Sequence, residues 1–232
     1  MVKKYSLLFH ESAEPVCELV TKFGGQPVWV SSPQWPLSRH TGHPMKFIGQ
    51  IRIYPEIFDV IDGKMAYIFL TYEFFDKYGG FIETWDPEDG ESAVIIQPGE
   101  WNGPTMPLAI GPWTGRKNTR WFKSPPDIAP VEYTVELLSG EDPDEYPVPE
   151  DLLEHPEEHD KHIEALYESK IGGIPISDYL EEYPFPSQDE WQLLLQICEV
   201  NVPFDVNFGT DGIGTIFLSK DGKRAKLIWR RT

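Results

Sequence analysis

The chain has 232 residues, 40% of them hydrophobic and 13% aromatic, enough for a sizeable core in one large domain or two intertwined halves. Its 38 acidic and 20 basic residues leave a net charge of −18, which argues against phosphate backbones and anionic membranes as partners and makes a basic protein the natural complement. No apolar run is long enough to span a bilayer, and Met1 to Phe9 lacks the apolar region and cleavage site of a secretory leader. The two cysteines, Cys17 and Cys198, both sit in apolar stretches, so a cytoplasmic protein with two small buried thiols is expected.

In chain order, the first predicted element is a helix over residues 14–23. Ser12 is placed to cap it, Pro15 suits its first turn, and Val16, Leu19, Val20 and Phe23 recur at helical spacing. Gly24 stops it, and 26–44 is Pro/Gly/Ser-rich loop apart from a short strand at 27–30. Residues 46–53 alternate as a strand, with Phe47, Gly49, Ile51 and Ile53 on one side and Ile48, Gln50 and Arg52 on the other. Residues 64–72 are almost continuously apolar, as in a strand buried on both faces. Residues 81–85 and 93–97 flank Asp86-Pro87-Glu88-Asp89-Gly90 and read as a hairpin. Residues 101–129 form an irregular Trp/Pro-rich segment, and 131–138 alternate as a half-exposed strand.

The segment from Glu141 to Asp160 holds ten acids and no Lys or Arg, with prolines at 143, 147, 149 and 156. Dense like charge with prolines resists compact structure, so 140–155 reads as an exposed acidic connector. A second helix spans 156–170 and ends at Gly172 and Gly173, and a strand follows at 191–198, with Trp191, Leu193, Leu195 and Ile197 on one face. Residues 214–219 and 225–230 flank Asp221-Gly222 as a hairpin rich in basic residues. The pattern predicts an α+β fold, predominantly antiparallel β with few helices.

Self-similarity organises these elements. Gly24, Gly25 and Pro27 recur as Gly172, Gly173 and Pro175, 148 residues later, and Ile68-Phe69-Leu70 recurs as Ile216-Phe217-Leu218 at the same offset. Gln50 recurs as Gln196 at an offset of 146. An internal duplication is expected, with motif copies over 12–72 and 156–230 in one domain about a pseudo-two-fold axis. The glycine pair allows positive φ and close approach, and a buried glutamine has donors and acceptors to lock backbone. Trp35-Pro36 follows the first glycine pair, whereas Tyr183-Pro184-Phe185-Pro186 stands in the second copy.

These motifs, with the C-terminal stretch Gly209 to Leu218, resemble the bacterial YwqG family over essentially the whole chain. That family is without an established activity and is distantly similar to the programmed cell death protein 2 group. The resemblance implies an escort role toward a basic protein, or an immunity role beside a toxin.

Other patterns compete. His155-Pro156-Glu157-Glu158-His159 matches a zinc-peptidase pattern, but Pro156 belongs at the first helical position, leaving His155 as a cap and not a ligand. His159 with Asp160 and His162, and His40 with His43, are too few for a metal centre, so no cofactor or metal is expected. Asp205 to Gly212 lacks calcium-loop spacing, and Gly209, Gly212 and Gly214 lack the phosphate-loop Lys. The binding candidates are therefore the acids Glu141, Asp142, Asp144 and Glu145 and the aromatics Trp101, Trp113 and Trp121, the latter close to Arg116, Lys117 and Arg120. A hydrolase or metal-dependent enzyme built on the histidines, or a small-ligand or RNA site on the tryptophans, is the alternative.

Overall fold

The computed structural model describes residues 1–72, 82–117, 131–143, 156–176, 191–209 and 211–231. It contains β1 (Val2–Ser12), β2 (Lys22–Gly24), β3 (Trp35–Pro36), β4 (Lys46–Arg52), β5 (Met65–Leu70), β6 (Ser92–Gln97), β7 (Thr105–Met106), β8 (Glu132–Asp142), α1 (Pro156–Leu166), β9 (Lys170–Gly172), β10 (Trp191–Cys198), β11 (Ile213–Ser219) and β12 (Ala225–Arg230). Among the described residues twelve strands stand against a single α-helix, so the fold is not α+β. It is a barrel-like β fold built on one antiparallel ten-stranded sheet, ordered β12-β11-β10-β9-β1-β8-β2-β4-β5-β6. The two end strands, β6 and β12, come alongside each other and nearly close the ring.

The two motif copies build the two halves of this sheet. β2-β4-β5-β6 on one side corresponds strand for strand to β9-β10-β11-β12 on the other, and the long central pair β1–β8 joins them. Lys22 of β2 pairs with Thr134 of β8, and its counterpart Lys170 pairs with Ser6 of β1. The implied two-fold axis passes through the Leu8–Glu136 pair. Both copies carry a register shift at one place, Phe47/Gly49 in β4 and Leu193/Leu195 in β10.

That bulge corrects the predicted alternation. One extra residue rephases a strand, so side chains on either side of it exchange faces. Ile51 and Ile53 point into the barrel with Phe23, Ile68 and Phe204, whereas Phe47 points outward into a second cluster with Trp35, Tyr67 and Phe69. Likewise Leu195 and Ile197 join the interior, and Trp191 packs outside on Phe217. The interior is filled with side chains from both halves, among them Ile48, Phe58, Ile96, Leu194, Phe208 and Leu227. Phe23 stacks on Phe204 at 4.6 Å across the copies.

Other predicted elements differ. Residues 14–21 form no helix, because the backbone there is bound by side chains: Lys22 Nζ donates to Val16 O, and Gln50 Nε2 donates to Val20 O. Leu19 is left exposed, so the apolar stripe has nothing to bury against. Residues 27–30 are loop and not strand. The second helix stops at Leu166, and Lys170, predicted as its end, begins β9. β6 pairs with β5 and not with 82–85, so the 81–97 hairpin is absent; Phe81 lies outside the described residues. β8 continues through Gly140, Glu141 and Asp142, so these residues are strand and not connector, and 144–155 lie outside the described residues. No described helix is long and apolar enough to cross a membrane.

Candidate functional site

The repeated motif builds two matching polar sockets. In the first, Gln50 accepts from the Val28 N–H at 2.8 Å and donates to Val20 O at 2.9 Å and, at 3.5 Å, to Glu18 O. In the second, Gln196 accepts from the Ile176 N–H at 2.7 Å and donates to Glu168 O at 2.8 Å and Leu166 O at 2.9 Å. Each of the three backbone partners is displaced by the same 148 residues. Both glutamines are 0% exposed. The hydroxyls repeat too: Thr21 accepts from the Arg52 N–H, and Ser169 accepts from the Cys198 N–H. The motif residues Gly24, Gly25, Gly172 and Gly173 all take positive φ, so the two turns share one geometry. Every polar atom of either glutamine amide is spent on the chain itself, which makes the pair a fold-determining lock.

Beside each socket lies a buried lysine that the sequence reading missed. Lys22, 1% exposed, bonds to Glu132 Oε2 and Val16 O, both at 2.8 Å. Lys170, 0% exposed, bonds to Asp142 Oδ2 at 2.7 Å. The signal was present: Thr21-Lys22 and Ser169-Lys170 precede the two glycine pairs at the common offset, and a charged residue inside an apolar strand requires a partner. The two carboxylates come from opposite ends of β8. In the sheet, Glu132 occupies the place that Lys4 occupies in the other half, so the second socket recruits its acid diagonally from Asp142.

This second socket gathers four charged side chains, Lys4, Asp142, Glu168 and Lys170. Lys4 Nζ lies 2.7 Å from Asp142 Oδ1 and also pairs with Glu168, whose other oxygen accepts from Ser6 Oγ. The Ile174 N–H donates to Asp142 Oδ2 at 2.8 Å. Burial pushes the Asp142 carboxyl pKa up, but Lys170, Lys4 and the Ile174 amide together hold it below its ordinary value. Burial likewise opposes the Lys4 charge, yet Asp142 and Glu168 prevail and raise its pKa. Asp142, 1% exposed, is thus not a surface acid available to a partner. Glu141, one residue earlier, is exposed, while Asp144 and Glu145 lie outside the described residues.

The aromatic candidates separate. Trp35 is fully buried, with Nε1 donating to Met45 O at 2.8 Å, and anchors the outer cluster of the first half. Trp101 packs as a partly buried cover on that cluster, Trp113 is 38% exposed beside its backbone bridge to Phe47, and Trp121 lies outside the described residues. The nearby cations are engaged: Arg116 pairs with Glu11 at 2.7 Å, and Lys117 Nζ donates to Glu199 O at 2.5 Å. Arg120 lies outside the described residues, as do His155 and the side chains of His159 and His162. His40 and His43 sit in the 38–43 loop, which Glu91 fastens by accepting from Ser38 Oγ and the His40 N–H. Among the described residues, no group of three His, Cys, Asp or Glu is placed to hold a metal ion.

No family model matches the sequence, and no curated protein matches it.

Proposed function

We propose that the protein binds a basic protein partner, using its acidic segment, and acts as an escort or as an immunity factor in the cytoplasm. The observation that carries this reading is the run of ten acids from Glu141 to Asp160 without one Lys or Arg. Asp142 is consumed by Lys170 and Lys4, leaving nine. A run of like charges accelerates encounter with a complementary surface and repels wrong partners. Membership of the YwqG family belongs to the same proposal. The sockets around Gln50 and Gln196 serve the scaffold, because their polar atoms already satisfy one another.

The test compares the wild-type chain with Glu141→Lys/Asp144→Lys/Glu145→Lys, immobilised and exposed to native cytosol. Proteins retained by the wild type are identified by mass spectrometry, and the purified partner is then measured by surface binding at two salt concentrations. A basic partner is expected, with association slowed by the triple substitution and its salt dependence reduced. Equal association rates for the two chains at low salt would remove the electrostatic role.

A further inference from the structure

Ten strands in a ring make ten junctions, and nine of them are hydrogen-bonded ladders. The tenth, between β6 and β12, has no ladder among the described residues, although the two strands share the core beneath them through Val94, Ile96, Ala225 and Leu227. A few individual contacts hold it. Lys64, buried and preceding β5, donates from Nζ to Pro98 O at 2.9 Å and to Gly222 O at 2.8 Å, one carbonyl on each side of the seam. The Glu100 N–H donates to Lys223 O at 2.8 Å, and Trp229 Nε1 donates to Thr84 Oγ1 at 2.8 Å. Two ion pairs, Lys223–Glu100 and Lys226–Glu88, lie over it with exposed partners. The basic residues of the second hairpin are therefore partly spent on acids of the first half.

We propose that this seam is the opening line of the barrel, a gate held shut by Lys64 and by screened ion pairs, whose two walls move apart while the β1–β8 junction acts as the hinge. Two features support an opening confined to the seam. The β1–β8 pair is an eleven-residue ladder, so separation there requires breaking many bonds at once. The seam contacts are side-chain bonds and single backbone bonds, and the exposed pairs weaken with ionic strength. Lys64 touches both walls through a single atom, so its loss releases β6 and β12 together, although their ends at Gln97 and Ala225 are 128 positions apart in sequence.

Hydrogen exchange read by mass spectrometry on peptides covering β6, β12, β4 and β10 tests this. In the wild type, raising salt from 0.05 to 1 M is expected to speed exchange in β6 and β12 jointly, by roughly three- to tenfold, with β4 and β10 unchanged. Lys64→Met is expected to speed the same two strands by roughly ten- to a hundredfold at low salt, by leaving two carbonyls without a donor. Lys64→Arg, which keeps a cation that can reach both, is expected to restore most of the protection. The wild-type salt series stands even where Lys64→Met folds poorly. Exchange in β6 that changes without β12, or no change in either strand under salt, would overturn the gate.

Discussion

At the scale of single residues, the molecule is determined by buried polar side chains that bind backbone, and their repetition carries the strongest evidence for duplication. Gln50 and Gln196 each satisfy backbone groups in loops that have no ladder partner. Gln196→Leu keeps the volume and strands the Ile176 N–H and the Glu168 carbonyl, while Leu166 O keeps its bond from the Glu168 N–H, so thermal or denaturant unfolding should show a loss of about 1–3 kcal/mol. Gln50→Leu should match it; a neutral effect at either site would mean that water replaces the amide. Asp142 offers a second test through pH. Its folded pKa is depressed, so its contribution is fully present above the unfolded value of about 3.9 and is lost as pH falls through the lower folded value. Asp142→Asn should therefore destabilise clearly at pH 7, by about 3–5 kcal/mol, because it leaves Lys170 buried without its anion. The gap to wild type should narrow in melts below pH 4. A gap that stays constant down to pH 2 would show that the carboxylate does not act through its charge.

At the scale of elements, the glycine turns decide how closely the copies pack. Gly173 takes φ +77°, and a Cβ there would sit 2.2 Å from Asp142 Oδ2; Gly25 meets Glu132 in the same way. Gly63 also takes positive φ but faces open space. Gly173→Ala should accordingly lower stability well beyond Gly63→Ala, which carries only the backbone penalty of about 1–2 kcal/mol. Equal losses in denaturant titrations would mean that Asp142 moves aside at no cost. The turns were legible in the sequence because the glycine pair with its proline is a local signal repeated at one offset. The strands at 46–52, 65–70 and 213–230 were legible from apolar content, and the last hairpin from Asp221-Gly222. The element at 14–23 was not, since helical spacing of Val16, Leu19, Val20 and Phe23 says nothing about Lys22 and Gln50 drawing the backbone carbonyls away. Bulges at Phe47/Gly49 and Leu193/Leu195 also leave no mark on composition, so faces assigned by simple alternation came out mixed. The acidic connector was read from charge and proline; that Asp142 is a buried residue of β8 escaped, because its two lysines come from β1 and β9, remote in sequence.

At the scale of the whole molecule, two copies of a four-strand unit are joined by β1 and β8 into one wall around a common core, and the asymmetry between copies lies outside that wall. In the first half, Tyr67 OH donates to Val28 O and accepts from the Val30 N–H, and Gln97 binds Ser31 and Ser32, fixing the loop that carries Trp29 and Trp35 over the outer cluster. Burial pushes the Tyr67 hydroxyl pKa up to about 12, which keeps it a donor throughout the physiological range. Thr215 and Arg230 occupy the corresponding ladder positions in the second half, so neither the tyrosine hydroxyl nor the glutamine amide is repeated there. The two sockets are equivalent in geometry, and the exchange of two amides, Val28 and Ile176, puts that equivalence to the test. Resolved by NMR, both should be protected to a similar degree although neither lies in a strand. Gln50→Leu should release Val28 and leave Ile176 protected, and Gln196→Leu should do the reverse. Fast exchange of either amide in the wild-type protein would contradict the equivalence of the two halves.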